Sequence, residues 1–504
     1  MRRPAALLLL LAVTRAALAV PPTVSNVRVE QLRDGSQEVE VIYDLDDPDT
    51  MTDHISAVAS LDGGVTWSLR VTSVLPLPGM GAPQFGPGIG SGPDKGFRWE
   101  LGVDYPGLYC PDLVLRVIAS DGMTFTHSFG GGGYDVGYHL IAAPDGGFLV
   151  VGSTSSFGSG GQDIWLLKTD ADGNEEWQRT VGGPADEVGL HGAANPTGGY
   201  FIAATVESWG LGGSDLFLLE IDATGQPVWG QNYGGIQDDD RPRVAALPDG
   251  DILLGGSVRR IDIDSFGGEY WHGDLLLARL DSLGTPRWES LEDGPGYFHD
   301  AADEPRFETS DLLVGIIPLA SGHTLAASSY YTGGDGYGYS AIWLVDYRAD
   351  GSIAGSSLPL QGWNEGWETG FQTSDFQPAA GEGYLLLGTV PNVAFGYSPF
   401  GFRAGSPAWR RVYEQWDCRL HAGIVCVDGG FIAAGRAPEY PGGQPTIVRL
   451  AENGDPLWMR AYANWQFGQA WDVIECADGG ILITGYADGD LLLMKVDADG
   501  NPDP

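Results

Sequence analysis

Carboxylates recur along this chain at a fixed distance from a repeated glycine-rich turn. Counting back twelve positions from the last residue of successive Asp-Gly-Gly-type turns gives Asp135, Glu187, Asp239 and Asp311. Acids gathered around one axis repel, which raises their pKa values or recruits a cation, and calcium is the expected one. The competing expectation is that each acid accepts a backbone N–H in its own loop. Four positions further on come His139, His191 and Arg243, then Asp472 in the last copy, with Asp375 one residue out of step. Such a mixture facing an axis suits polar-ligand binding or proton transfer at neutral pH. Near the N-terminus, Asp44, Asp46, Asp47 and Asp49 offer either a second calcium loop or a solvated charge run.

Aromatic residues cluster in YYTGGDGYGYS from Tyr330, in WNEGWETGF with Trp363 and Trp367, and in NWQFGQAW with Trp465 and Trp471. Exposed rings beside acids stack on the apolar faces of sugars, and the alternative is that they fill gaps between irregular sheets. The stretch SLDGGVTWSL, Ser60 to Leu69, resembles the Asp-box hairpin of sialidases. Propeller sialidases repeat that hairpin along their blades and add an arginine triad and a Tyr/Glu pair. Here it occurs once, and Arg241, Arg243, Arg259 and Arg260 are close only because they are neighbours in sequence. Asp62 is therefore expected to hold turn amides and Trp67 to pack in a core.

What positions these residues is a repeat. PDGGFLVVGSTSSFGSGGQDIWLLKTDADGNEEWQRTVGG from Pro144 is matched by PTGGYFIAATVESWGLGGSDLFLLEIDATGQPVWGQNYGG from Pro196. Shorter copies follow at Pro248, Ala320, Gly381, Val427 and Ala477, spaced roughly 52 residues apart where undisturbed. Val, Ile, Leu and aromatic runs bounded by Gly and Asp read as four strands per copy, with Gly supplying positive φ in the turns. No window keeps a period of 3.6, so helix is nearly absent. The last copy stops before its fourth strand, and TFTHSFGG aligns with EWQRTVGG, placing Phe125 on Trp177. The spacing thus predicts an all-β chain ending in a seven-bladed β-propeller over 123–504, its last blade completed by residues 124–130.

Segments such as DATGQPVW resemble the tryptophan-docking motif of PQQ-type propellers, and the whole unit resembles the DGG-repeat propellers of secreted bacterial proteins. The resemblance implies that Trp177, Trp229, Trp288, Trp409 and Trp458 pack on the neighbouring blade. The fourth copy departs from it, having no Trp after Gly351, and the fifth lacks the acidic turn. A quinoprotein dehydrogenase would require adjacent cysteines over its cofactor, and none of the cysteines are adjacent. Residues 22–122 alternate apolar and polar positions, as an immunoglobulin or fibronectin-III-like sandwich does. Their segment PLPGMGAPQFGPGIGSGPDKG is too rich in breakers to be expected as strand.

Residues 1–19 read as a Sec signal peptide, with a basic start, an apolar run and a small-x-small end, which predicts a secreted, extracellular or periplasmic protein without membrane insertion. A formal net charge of -40 opposes binding to nucleic acid and anionic lipid, both of which select Lys and Arg. Only 19% of residues are charged and 43% are hydrophobic, so the acidity belongs to a folded chain rather than a disordered one. Cys110, Cys418, Cys426 and Cys476 allow three disulfide pairings between which the sequence does not choose. The reading is a monomeric, non-catalytic binding or adhesion protein for an extracellular glycan or protein, with no cofactor beyond calcium. A propeller glycoside hydrolase or polysaccharide lyase, and an envelope scaffold, are the alternatives.

Overall fold

The structure, a computed structural model, describes residues 22–502 apart from 48–52, 61–68, 109–112, 121–123, 264–268, 293–307, 320, 335–336, 366–371, 380–382, 393–395, 405–407, 414, 427–428, 438–442, 466 and 477. The hairpin residues Asp62 and Trp67, and with them Asp49, Cys110 and Trp367, lie outside the described residues. So does the leader at 1–19. No described helix is long and apolar enough to cross a membrane.

In the N-terminal part, period-two patterning does what it should. Val39, Val41, Tyr43 and Leu45 of Val39–Asp46 are buried while the residues between them are not. That strand lies between Thr23–Gln31 and Gly92–Trp99, and Val74–Leu75 joins the far side of the latter. A second sheet is built on Asp53–Ser60, which pairs with Leu69–Arg70, Gly86–Ile89 and Val114–Ser120. One core unites both sheets, from Val41, Phe97 and Trp99 to Ile55, Ala57 and Val117. The breaker-rich segment is corrected by the structure: Gly86–Ile89 and the start of Gly92–Trp99 are strands. Positive φ at Gly86, Gly88 and Gly92 lets short sheet edges form where other residues would be strained.

From Phe125 onward the chain is a propeller-like succession of antiparallel sheets. Asp135–Ala142, Phe148–Thr154, Asp163–Thr169 and Glu175–Val181 pair in order, and Glu187–Ala194, Tyr200–Val206, Asp215–Ile221 and Pro227–Tyr233 repeat the pattern. The innermost strands then touch in sequence through Asp240–Ala246, Glu308–Pro318, Gln372–Ala379, Arg419–Val425 and Gly468–Glu475, and the last of these returns to Asp135–Ala142. Phe125–Phe129 pairs antiparallel with Asp490–Val496, from Phe129↔Leu491 to Phe125↔Lys495. One departure from separate units occurs. Glu269–Leu280 and Glu308–Pro318 pair in parallel at His272↔Thr309 and Gly273↔Ser310, fusing two units into one sheet. These strands have 12 and 11 residues, so their ends reach past the usual edge.

Second and third strands such as Phe148–Thr154 and Asp163–Thr169 are buried on both faces, which explains near-continuous hydrophobic runs such as DIWLLKT. Leu149 and Val151 share a core with Ile202 and Ala204 of the following sheet, while Phe148 and Val150 share one with Leu482 and Leu493. The outermost strands lock neighbours together. A Cβ at Gly225, Gly284, Gly351, Gly454 or Gly500 would stand within 2.9 Å of the ring of Trp177, Trp229, Trp288, Trp409 or Trp458 respectively, each on the preceding repeat unit. Phe125 occupies the same place over Gly173. Tyr233, Tyr413 and Tyr462 add O–H donation to the carbonyls of Gly284, Gly454 and Gly500.

Gly225 has φ +79 as well as the Trp177 ring against it. Gly225→Ala is expected to destabilise the protein by about 2 kcal/mol, combining left-handed strain with displacement of the ring. The urea midpoint checks this, and Thr224→Ala on the same turn serves as control.

Candidate functional site

The carboxylates at the strand entrances act locally. Asp135 accepts from Gly131 N (2.9 Å), Ser156 Oγ (2.5 Å) and Thr154 Oγ1. Glu187 accepts from Gly183 N (2.5 Å) and Ser208 N (2.9 Å). Asp239 accepts from Gly235 N (2.9 Å) and, more weakly, Arg259 N (3.3 Å), and burial pushes its pKa up to about 6. Each closes a loop through an amide four residues upstream, the structural alternative to a cation ring. Asp311 lies in Glu308–Pro318 with its backbone opposite Tyr330. Asp44 accepts from Asn26 Nδ2 (2.6 Å) and Asp94 N (2.8 Å), which lower its pKa, and Asp46 is exposed. No group of three or more His, Cys, Asp or Glu able to hold a metal forms among the described residues. Trp363 pairs with Tyr339 through its backbone in Ile353–Glu365.

The second set of residues does converge, and the reason is a β-bulge. Innermost strands shift register between Gly137 and His139, Gly189 and His191, Asp240 and Arg243, Thr373 and Asp375, and Ala470 and Asp472. A bulge re-aims a side chain and leaves a ladder amide unpaired. In this fold the preceding sheet supplies the missing acceptor. Asp472 Oδ2 accepts from Leu140 N (2.8 Å), Asp375 Oδ2 from Gly423 N (2.7 Å), and His191 Nδ1 from Val244 N in a long contact (3.4 Å). Asp375, one residue out of step when counted from its turn, sits at the same post-bulge place as the others.

His139 links these pieces. Its Nδ1 lies 2.8 Å from Asp472 Oδ2, its Nε2 lies 3.1 Å from Gly192 O, and its ring stacks on His191 with centroids 3.9 Å apart. A carbonyl and a carboxylate both accept, so this arrangement is satisfied when both ring nitrogens carry hydrogen. For His191 the pattern is the opposite: Nδ1 faces an amide donor, so its hydrogen belongs on Nε2. Burial, then His139 and Arg243, hold the His191 pKa well below 6.5, in agreement with a neutral ring. Burial pushes Asp375 up to about 6, Asp472 adds to this, and the Gly423, Gln377 and Phe376 donors oppose it. Arg243 lies within electrostatic reach of both Asp375 and Asp472, whose strands stand across the ring from its own.

Because folding raises the Asp375 pKa, the folded state favours its protonated form. That contribution is complete below the unfolded value near 4 and is lost as pH rises through about 6. Carboxyl ¹³C NMR is expected to show two transitions near pH 6, from Asp239 and Asp375, of which one vanishes in Asp375→Asn.

Two features escaped sequence reasoning. The bulged residues Tyr138, His421 and Trp471 pack ring to ring, at 5.6 Å for Tyr138–Trp471 and 4.4 Å for His421–Trp471. Burial, with Arg419 and Arg436, brings the His421 pKa down to about 4. The other feature is a buried charge on the third strands. Lys168 pairs with Asp145 (2.9 Å), Arg279 with Asp251 (2.7 Å) and Lys495 with Asp478 (2.5 Å), acids that belong to the Asp-Gly-Gly-type turns. At Asp346 and His323 the polarity is reversed at 2.8 Å. The signal was a charge in mid-strand at one repeat position. Cys418, Cys426 and Cys476 are buried and form no disulfide with one another. Burial, reinforced by Asp417, pushes the Cys418 thiol up to about 12.

Fold and site together define a propeller-like all-β protein carrying a polar cluster on its axis. No family model matches the chain, and no curated protein matches it. Among solved structures it is similar to a thermostable family-43 glycoside hydrolase (14% identity, 60% of this chain and 91% of that one, TM-score 0.29). It is similar also to a glucose dehydrogenase (11%, 74% and 98%, 0.32). A third is the Chaetomium thermophilum Sqt1 bound to the N-terminus of the ribosomal protein L10 (11%, 62% and 75%, 0.33).

Proposed function

We propose that this chain is a secreted, non-catalytic binding protein: an immunoglobulin or fibronectin-III-like module followed by a seven-bladed propeller whose axial cluster takes an extracellular glycan. The observation that carries this is the fate of the two axial acids. Asp472 accepts from Leu140 N, Val473 N and His139, and Asp375 accepts from Gly423 N, Phe376 N and Gln377 Nε2. Carboxylates whose oxygens are taken up by protein donors serve as fixed acceptors that join one sheet to the next. The cluster is built to present a shaped polar surface.

A second reading, a glycoside hydrolase or polysaccharide lyase, is favoured by one observation. Asp375 is pushed up to about 6 with Asp472 in electrostatic reach, which is how a general acid is poised. A glycan array and pull-down, with reducing sugar and unsaturated product measured on the same samples, separates the readings. Binding without product supports the module, product supports the enzyme, and a stable co-purifying protein supports a scaffold.

A further inference from the structure

Three entrance acids each meet the acid that opens the third strand of the preceding sheet. Asp239 N bonds to Ser214 O at 2.6 Å, Glu187 N to Gln162 O at 2.7 Å and Asp135 N to Gly489 O at 2.9 Å. Ser214, Gln162 and Gly489 come just before Asp215, Asp163 and Asp490, so the two acids of each pair are drawn together. A glycine leaves room beside them. Asp490 Oδ1 and Asp135 Oδ2 both lie within 2.6 Å of the place that a Cβ on Gly130 would take. Gly182 and Gly234 hold that place in the next two pairs, against Asp163 Oδ1 and Asp239 Oδ2.

The pairs differ in what answers their charge. Hydroxyls of Ser128, Ser156 and Thr154 donate to Asp490 and Asp135. At Asp274, the same repeat position as Asp215, Arg260 Nη1 reaches Oδ2 at 2.8 Å, so there the protein supplies a cation of its own. Asp215 and Asp239 have neither among the described residues. Both are 1% exposed and lie within electrostatic reach of each other, and Asp238, paired at the surface with Arg259 (3.5 Å), adds to the charge. Backbone amides serve Asp215 Oδ2 and Asp239, but Asp215 Oδ1 is a buried oxygen without a partner. Two uncompensated buried carboxylates are costly. The glycine-rich loop Gly210–Gly213 crosses over Asp215 and its Leu211 is 73% exposed, so an ion has a short way in. We propose that Asp215 and Asp239 hold a calcium ion between their two sheets. Oxygen ligands select a hard cation, and calcium accepts irregular geometry that magnesium does not. Two carboxylates leave most of its roughly six to eight positions to carbonyls and water, so a weak site is expected, with a Kd of about 10⁻⁴–10⁻³ M. The site does not depend on the glycan reading.

The test is calorimetric titration of the EDTA-treated full chain with calcium chloride and with magnesium chloride. Calcium is expected to bind in that range and to raise the thermal midpoint, and magnesium to bind about tenfold or more weakly. Asp215→Asn and Asp239→Asn keep an acceptor for the loop amides but remove one charge, and each should weaken calcium about tenfold. Without calcium both variants should match or exceed the parent midpoint, because a like-charge contact is gone. If one variant does not fold, the other carries the comparison. Asp46→Asn, at an exposed acid of the N-terminal part, should change nothing. Calcium binding undiminished in both variants places the ion elsewhere on the acidic surface and overturns the site. Absence of both calcium heat and a midpoint shift overturns it too, as does an equal calcium-induced shift in parent and Asp215→Asn.

Discussion

Phe125→Ala is expected to destabilise the protein by about 3 kcal/mol, although the residue lies far in sequence from the strand Asp490–Val496 that it supports. The side chain is 7% exposed and packs with Leu140, Trp165 and Leu493. It is stacked with His127 at 5.0 Å and stands over Gly173, the place that a tryptophan holds in other sheets. Its strand pairs with Asp490–Val496, so loss of the ring loosens the contact between the beginning and the end of the propeller. Urea unfolding read by tryptophan fluorescence measures the cost. Thr126→Ala, whose side chain is exposed on the same strand, is expected to change little.

Asp472→Ala should cost a similar amount, about 3 kcal/mol, for a different reason. Truncation leaves the Leu140 and Val473 amides without acceptors and His139 facing Gly192 O alone. Removing one partner of a largely buried hydrogen-bonded cluster exposes the desolvation penalty of everything it satisfied. Asp472→Asn keeps the shape and one good acceptor, and about half the loss is expected. Hydrogen exchange adds a local readout: protection of the Leu140 amide should fall in the alanine variant before that of Val150, which lies deep in the next strand.

Much of this was legible in the sequence because repeat position maps to place. Lining up the turns put His139, His191, Arg243 and Asp472 at equivalent points before any coordinates, and put Phe125 where the docking tryptophans stand. The role of these residues was not legible. Register shifts are set by which residues pair across strands, and nothing in GYHLIAA marks Tyr138 as extra. For the same reason Asp375 looked misaligned until its bulge was seen. The entrance acids show the limit from the other side. Their periodicity was real, but Asp135, Glu187 and Asp239 are bonded within their own loops among the described residues, a matter of side-chain direction that spacing does not encode. Two short pieces of the breaker-rich segment, Gly86–Ile89 and the start of Gly92–Trp99, became strand because glycine at positive φ permits short edges that propensity alone disfavours.

The claim on which the site depends is that residues from opposite ends of the propeller meet on one axis. A double-mutant cycle on His139 and Asp472 tests it most directly, with His139→Ala, Asp472→Ala and the double variant compared in urea. A favourable coupling energy of about 1–2 kcal/mol is predicted for a half-buried pair at 2.8 Å. Strict additivity of the two single changes would contradict the account.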